Sequence, residues 1–340
     1  MAAQPWKRTG NYSRMMYLMV AAGLILLLLG GEALVRAAVT LADRLGVSKL
    51  IIGLTVVAFG TSAPELLVCV QAVLEDAPAI AIGNVVGSNI ANILLVVGAP
   101  ALIAPFFCEK STMKREGVAM LGATGILIAV MAFDALDFWP GLVMLGLLIL
   151  FLAAAYRTAR RGGAGEFADE VEELSEGVPR SPVAIGALLV LGLLGLVAGS
   201  HLLVDGAREI ALAAGLSETV IGITLVALGT SLPELATSLV AATRRHGDVA
   251  IGNVIGSNLF NILGILGITA MVEPIPVPPE IMSFDVWVML GSAALLFPLA
   301  FARLPVGRIA GALFLFGYGA YMWAQFTGLS GMPINQMAGG

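Results

Sequence analysis

Long runs of apolar residues, separated by short polar segments, fill most of the chain. Each run has about 20 residues or more, which is the length that an α-helix needs to cross about 30 Å of hydrocarbon. Charged residues and prolines divide the pattern into ten runs, which we interpret as ten transmembrane helices. Their approximate bounds are 15–42, 47–74, 78–104, 116–134, 138–157, 182–212, 216–243, 248–272, 282–302 and 306–326.

The most polar stretch lies between the fifth and the sixth run and separates the ten runs into five and five. It is rich in acidic residues but lacks the spacing of an EF-hand loop, so we interpret it as a solvated linker in which a short surface helix is an option. The predicted organisation is a first five-helix unit over 1–156, a linker over 157–181 and a second five-helix unit over 182–340.

The composition agrees with a membrane protein. Of the 340 residues, 59% are hydrophobic and 12% are charged, whereas soluble domains are about 25% charged. The runs are too long for the strands of a barrel, so the fold class that we predict is all-α and polytopic. The net charge of −5 and the absence of a basic stripe argue against a nucleic-acid partner.

The two halves of the chain are copies of one another. A shift of 169 residues aligns them without a gap, and 24 of 47 positions between Ile52 and Gly98 are identical to their partners. Because each copy has an odd number of helices, the second enters the membrane in the opposite orientation, which predicts an inverted repeat. The identical positions include residues that lipid tolerates poorly, namely Gly60, Thr61, Ser62, Pro64, Glu65, Gly83, Asn84, Gly87, Ser88, Asn89 and Asn92.

The basic residues are distributed unequally between the two sides of the membrane. Loops 2–3, 4–5 and 8–9 have no lysine or arginine, so the opposite side is predicted to be cytoplasmic and both termini to lie outside. Lys7, Arg8 and Arg14 near the N-terminus count against this orientation, but they are three against thirteen. The thirteen on the predicted cytoplasmic side are Arg44, Lys49, Lys110, Lys114, Arg115, Arg157, Arg160, Arg161, Arg180, Arg244, Arg245, Arg303 and Arg308.

Two acidic residues, Glu65 and Glu234, occupy the same position of the repeats, in the sequences GTSAPELL and GTSLPELA. A carboxylate near the bilayer centre costs about 2.5–3.5 kcal/mol on insertion scales, so each requires compensation. Gly60 and Pro64 predict a helix break that frees the carbonyl groups around 58–61. Carboxylate, hydroxyl and carbonyl oxygens are ligands for hard cations such as Ca²⁺ and Na⁺. We predict a cation site here, in preference to protonated glutamates that brace helix contacts or a kink that serves packing alone.

A second repeated element, GNVVGSNIAN at 83–92 and GNVIGSNLFN at 252–261, opens the third and the eighth run. Asn84, Ser88 and Asn92 recur every four residues, so they share one side of a helix. Close packing explains the glycines of this element but not its amides. We therefore expect Ser88 and Asn92 to add neutral oxygens to the site.

Other residue types argue against an enzyme. Cys69 and Cys108, the only cysteines, form neither a disulfide framework nor a metal cluster, and we interpret them as packing residues. The only histidines, His201 and His246, are not placed as a base for the serine of either GTS motif, which disfavours an intramembrane hydrolase. A transporter without a cofactor is expected, and a cation channel that uses the same oxygens is an alternative.

Both motifs, each present twice at a constant offset, resemble the paired α-repeats of the cation/calcium antiporter superfamily, in its sodium/calcium exchanger branch and closest to its compact prokaryotic members. The resemblance covers essentially the whole chain. It implies four cation sites at mid-membrane between the second, third, seventh and eighth helices, with Glu65 and Glu234 as central Ca²⁺ ligands. The other implied ligands are Thr61, Ser62, Thr230, Ser231 and the carbonyls of Ala58 and Ala227 for Ca²⁺ and Na⁺, Ser88 and Ser257 for the outer Na⁺ sites, and Asn92 and Asn261 for the paired central positions.

The chain departs from some relatives at Asn261, where they have an aspartate that is associated with potassium dependence. It also lacks the acidic residue that typically follows the GN motif in the proton/calcium branch. The expected function is therefore exchange of Na⁺ for Ca²⁺ by alternating access, with a K⁺- or H⁺-coupled antiporter of Ca²⁺ or another divalent cation as the alternative. One Ca²⁺ or two Na⁺ would neutralise the two glutamates, and the glycine-rich first and sixth helices would slide over a static core.

The expected partners are Ca²⁺, Na⁺ and membrane lipid, and the oligomeric state is left open, with a monomer as one option. The expected location is the plasma (inner) membrane of a prokaryote, with the linker over 157–181 in the cytoplasm.

Overall fold

The computed structural model describes residues 10–133, 136–161, 181–213 and 227–327. Ten helical segments follow one another as predicted. Seven of the described helices are long and apolar enough to cross a membrane by length and composition, and the bent helix α2 is an eighth. Helix α7, whose preceding residues 214–226 are outside the described part, and helix α10 complete the ten. The predicted linker is outside the described residues over 162–180.

The bounds of the helices are α1 Gly10–Leu45, α2a Lys49–Thr61, α2b Ala63–Leu74, α3 Pro78–Ile103, α4 Lys110–Ala132, α5 Phe138–Arg161, α6 Pro182–Ala213, α7a Ala227–Thr230, α7b Leu232–Thr243, α8 Gly247–Val272, α9 Ile281–Phe301 and α10 Arg308–Thr327. Wide π-helical turns interrupt α2a, α3 and α8 at Gly53–Val57, Asn92–Val97 and Phe260–Leu266. Such turns often accompany functional sites.

Helices α1 and α6, which are equivalent in the two halves, pack along their length in opposite directions. A Cβ atom built on Gly23 would lie 2.6 Å from the backbone nitrogen of Leu203, and one built on Gly192 would lie 2.8 Å from that of Leu34. As the residue number rises along α1, the number of its neighbour on α6 falls. The predicted inverted repeat is therefore confirmed, and the two helices touch through their backbones, which only glycine permits at these distances.

Helix α8 lies in the middle of the protein and packs against α2a. A Cβ atom on Gly252 would be 2.6 Å from the carbonyl oxygen of Leu50, so the glycine allows close contact as predicted for this motif. At the equivalent Gly83 of α3, no described atom lies within 4 Å. The residues that would match Leu50 there belong to 214–226, which lie outside the described part of the chain.

Each face of the membrane domain has one short backbone pairing that connects two of its loops. Strand β1 (Phe106–Phe107), in the α3–α4 loop, pairs antiparallel with β2 (Pro305–Val306), in the α9–α10 loop. On the other face, Leu136 of the α4–α5 loop forms a bridge with Ile275 of the α8–α9 loop. Loops that the sequence assigns to the same side therefore meet, and the β1–β2 face is the one predicted to be rich in basic residues.

An ionic cluster joins α1 to the end of α7b on the basic face. Arg244 donates from Nε to Glu32 Oε2 at 3.0 Å and from Nη2 to Glu32 Oε1. Arg36, one turn further along α1, donates to the same carboxylate at 2.5 Å. The cluster therefore ties α1 to the helix that carries one of the two predicted metal-binding glutamates.

His246 lies beside this cluster, immediately before α8, and its side chain is buried. Burial, together with the positive charges of Lys49 and Arg244, lowers the pKa of His246 to about 4. The imidazole is therefore neutral near pH 7.

Candidate cation site

Helices α2 and α7 are interrupted at the same position of each repeat. Ser62 has φ −86° and ψ 1°, and Ser231 has φ −87° and ψ 1°. Helices α2a and α2b are inclined to each other by 42° at this point. The sequence predicts the break from Gly60 and Pro64, and the structure places it between them, because a proline is accommodated in the first turn of the following helix, where its missing N–H is not needed.

The two glutamates begin the helices that follow the breaks. Glu65 and Glu234 each lie in the first turn of their helix and are each 1% exposed. The hydroxyl of Ser62 donates to Glu234 Oε1 at 3.3 Å, so a residue of the first repeat contacts the carboxylate of the second. The Oε2 atom of each carboxylate has no hydrogen-bond partner among the described residues. The contact between Ser62 and Glu234 therefore joins the break of the first repeat to the carboxylate of the second.

Backbone and hydroxyl oxygens surround the break in α2. The hydroxyl of Thr61 lies 3.1 Å from the carbonyl oxygen of Val57 and 3.3 Å from that of Ala58. The Ala58 carbonyl also accepts the N–H of Ser62 at 3.0 Å. The sequence suggested that this carbonyl is unpaired, but it is paired, because the turn before the break closes. A carbonyl oxygen has two lone pairs, so the bond from Ser62 leaves one of them for a further partner.

The second repeat supplies the matching hydroxyls. Ser231 and Ser257 are buried, and neither hydroxyl oxygen has a partner among the described residues. Thr230 Oγ1 lies 3.5 Å from Asn84 Oδ1. Ser88, the equivalent of Ser257, is buried on α3. Ala227 is the first described residue of α7a, so its predicted carbonyl ligand lies at the edge of the described region.

Amide groups of α3 and α8 complete the polar interior. Asn92 Nδ2 donates to Asn258 Oδ1 at 3.0 Å, and Asn258 Nδ2 donates to the Met120 sulfur at 3.4 Å. This order of donors leaves Asn92 Oδ1 without a partner in the described structure. Asn261 is fully buried, and neither its Oδ1 nor its Nδ2 has a described partner. The two predicted central amides therefore both present a buried oxygen that can bind a cation.

The chemistry of this donor set fits a hard cation. Buried polar groups are normally hydrogen-bonded, and a cluster that lacks partners indicates a ligand. Among the predicted ligands, the residues with an unpaired buried oxygen are Glu65, Glu234, Ser231, Ser257, Asn92 and Asn261. Oxygens are the ligands of Ca²⁺ and Na⁺, and no group of three or more His, Cys, Asp or Glu side chains suited to a metal occurs in the described residues. Two carboxylates with neutral oxygens favour a hard cation such as Ca²⁺ or Na⁺ over zinc, which prefers nitrogen and sulfur ligands.

Sequence reasoning did not assign a role to several side chains that contact the site. Asn253 Oδ1 lies 3.3 Å from the Thr61 hydroxyl, and Asn84 lies beside Thr230. Asn258 contacts Asn92, as described above. All three asparagines are identical in the two repeats, and this identity was the available signal; their contacts depend on how helices of different halves meet, which the sequence does not reveal.

Comparison with known proteins gives one family. The model of the sodium/calcium exchanger protein family matches residues 15–157 and 185–327. The putative antiporter CaxA of Alkalimonas amylolytica is 37% identical over 91% of this chain and 98% of its own length. The sodium/calcium exchanger MaX1 of Methanosarcina acetivorans is 33% identical over the same shares of the two chains. A solved structure of the sodium-calcium exchanger NCX_Mj, soaked with Na⁺ and Ca²⁺, is 36% identical, covers 91% of this chain and 98% of its own, and superposes with a TM-score of 0.76.

Proposed function

The chain belongs to the sodium/calcium exchanger protein family, and from this premise we propose that it exchanges Na⁺ for Ca²⁺ across a membrane by alternating access. The observation that carries the proposal is the pair Glu65 and Glu234, buried together at two helix breaks, each with an unpaired carboxylate oxygen. The relatives MaX1 and NCX_Mj, both named as sodium/calcium exchangers, support it.

The two carboxylates explain why transport of one ion requires the other. One Ca²⁺ or two Na⁺ balance two negative charges, and a further Na⁺ would be held by neutral oxygens alone. Without a cation, two carboxylates would remain unpaired in a medium of low dielectric, which is costly. The rearrangement that changes access is therefore favoured only when the site is loaded.

The ligands that we propose for the bound ions are the two glutamates together with Thr61, Ser62, Thr230, Ser231, Ser88, Ser257, Asn92 and Asn261 and the carbonyls of Ala58 and Ala227. We assign no cofactor and no enzymatic activity to the chain. Its partners are the transported ions and the surrounding lipid, and a monomer contains both halves of the site.

The moving part is the pair α1 and α6. The backbones of these helices are in contact through Gly23, Gly30, Gly192 and Gly199, so they move as one body. Towards the rest of the protein, a Cβ atom on Gly60 would be 2.6 Å from the side chain of Leu193 of α6. Because Gly60 has no side chain, the side chains of α6 can pass over the break.

The orientation follows from the basic loops. The face that contains β1 and β2 has the lysines and arginines, so we place it in the cytoplasm together with the linker over 157–181, and both termini outside. The five-helix units over 1–156 and 182–340 then cross the membrane in opposite orientations. The prokaryotic relatives support the plasma membrane as the location.

Flux measurements on reconstituted protein test the proposal. We expect ⁴⁵Ca²⁺ uptake into proteoliposomes to follow an imposed Na⁺ gradient, and K⁺ or H⁺ gradients to have no comparable effect. Glu65→Gln and Glu234→Gln should each abolish uptake, because one negative charge cannot balance a divalent ion. Glu75→Gln, at the exposed end of the same helix α2b, is the matched control and should retain activity. Uptake that is independent of the Na⁺ gradient would refute the proposal, and conductance without countertransport would indicate a channel.

A further inference from the structure

Two asparagines at the same position of the repeats, Asn84 and Asn253, are not among the proposed ion ligands. Asn253 is completely buried, and its Nδ2 donates to the Ser238 hydroxyl at 3.1 Å and to the carbonyl oxygen of Glu234 at 3.5 Å. These contacts fix the orientation of the amide, so that its Oδ1 faces the hydroxyl of Thr61 at 3.3 Å. The amide of α8 is therefore held by α7b and faces the break in α2.

The other half has the same arrangement with the repeats exchanged. Asn84 Nδ2 donates to the Cys69 sulfur at 3.4 Å, and Asn84 Oδ1 faces the hydroxyl of Thr230 at 3.5 Å. Cys69 and Ser238 are equivalent positions, 169 residues apart. Each amide is thus oriented by its own repeat and contacts the threonine at the helix break of the other repeat.

A threonine hydroxyl has one proton, and the Thr61 proton has four possible acceptors. They are the carbonyl oxygens of Val57 and Ala58, at 3.1 and 3.3 Å, Asn253 Oδ1, and the carboxylate of Glu234. Donation to the carboxylate would occupy an oxygen that is a predicted cation ligand. If the proton points to a carbonyl, that carbonyl is occupied. If it points to the amide, the carbonyl of Ala58 and the lone pairs of the hydroxyl are both available to a cation.

We propose that Asn253 and Asn84 are positioning residues that hold the protons of Thr61 and Thr230 away from the bound cation, which makes the hydroxyl oxygens and the neighbouring backbone carbonyls available as ligands. The inference rests on the proposed function, since it concerns the ions of the same site. It assigns to the first asparagine of each GN motif a role in ion affinity that is distinct from ligation.

The hydrogen bonds that orient the two asparagines differ in strength between the two halves. The Ser238 hydroxyl is a good acceptor for Asn253, whereas the Cys69 sulfur is a weak acceptor for Asn84. Asn84 is consequently held less firmly, and Thr230 is oriented less firmly than Thr61. Replacement of Cys69 by serine should therefore raise the ion affinity, and replacement of Ser238 by cysteine should lower it.

Equilibrium binding of ⁴⁵Ca²⁺ to the purified full chain in detergent tests the proposal without requiring coupled transport. Cys69→Ser should lower the dissociation constant for Ca²⁺ about threefold, and Ser238→Cys should raise it about threefold, as expected from the exchange of a weak for a normal hydrogen bond. Asn253→Ala should raise it about tenfold, while Ser238→Thr, which keeps the hydroxyl, should leave it within about twofold of the native value. Cys108→Ser, at the other buried thiol, is the matched control and should change nothing.

A merely structural role predicts a different result. It would lower the melting temperature and the fraction of active protein in each variant while leaving the dissociation constant of the folded fraction unchanged, and that outcome would overturn the proposal. The same direction of change for Cys69→Ser and Ser238→Cys would also overturn it. These results are independent of the flux test, because native protein that binds Ca²⁺ but shows no Na⁺-driven flux would contradict the exchange function and not the positioning role.

Discussion

Replacement of Arg244 by glutamine should shift the equilibrium between the two access states of the protein. Arg244 connects the end of α7b with Glu32 of α1 through two hydrogen bonds, one of them at 3.0 Å. In the proposed mechanism α1 moves with α6 relative to the remaining helices, so this connection belongs to one position of the pair. Its loss destabilises that position selectively.

The size of the effect follows from the exposure of the two side chains. A hydrogen bond to a charged group contributes about 1.5–3 kcal/mol when it is well protected. The side chain of Arg244 is 41% exposed and that of Glu32 is 25% exposed, and exposed ion pairs contribute about 0–1 kcal/mol because solvent screens them. Arg36 remains beside Glu32 in the variant, so the carboxylate is not left alone. We expect a loss of about 1 kcal/mol, which is about a fivefold change in the equilibrium.

Transport in right-side-out and inside-out vesicles measures this change. The state that is destabilised binds ions from one side, so the apparent affinity for Ca²⁺ should fall about fivefold on that side and rise on the other. The difference from the native protein should decrease at high ionic strength, because salt screens the lost pair. Arg245→Gln, at the adjacent residue, is the matched control. A change in the same direction on both sides, or a lower maximal rate with unchanged affinities, would refute the reasoning.

Two further predictions concern stability. Gly192→Ala places a methyl group 2.8 Å from the backbone of Leu34 and should lower the free energy of unfolding by about 1–3 kcal/mol, which thermal unfolding in detergent measures. Gly186→Ala on the same helix, where no described atom lies within 4 Å, is the control and should have little effect. Equal losses in the two variants would contradict the close contact. Because the pKa of His246 is about 4 in the folded protein and about 6.5 when unfolded, the unfolded chain binds the proton first, so stability should fall as the pH decreases from about 6.5 to about 4 and then level off. His246→Gln should flatten this profile, and an unchanged profile would show that other groups cause it.

The sequence was sufficient for those features that depend on the chain alone. Apolar runs of membrane length predict the ten helices, and the offset of 169 residues with an odd number of helices predicts the inverted packing that α1 and α6 display. The acidic residue after each Gly-Thr-Ser motif is the basis for predicting a cation site, since a carboxylate at that depth requires a partner, and this site stays a prediction. These inferences need no knowledge of which helices are neighbours.

Features that depend on neighbouring helices could not be predicted. The relay from Asn92 through Asn258 to Met120 joins three helices of two repeats, and the contact of Glu32 with Arg244 joins residues 212 positions apart. The start of α4 was also placed too late, at 116 instead of Lys110. Charged residues suggested a loop there, but exposed lysine and arginine side chains at a helix end reach the membrane surface while their backbone stays helical.

The contact of Ser62 with Glu234 has a consequence for the ancestry of the protein. A five-helix ancestor with one copy of each motif would possess a single acidic residue and only half of the oxygens, so it could assemble this site only as a homodimer of oppositely inserted subunits. Such dual insertion requires a nearly even distribution of lysine and arginine. Fusion of two gene copies removes that requirement, because each half can then acquire its own charge bias. The thirteen basic residues that the sequence assigns to one face are what such divergence would leave behind.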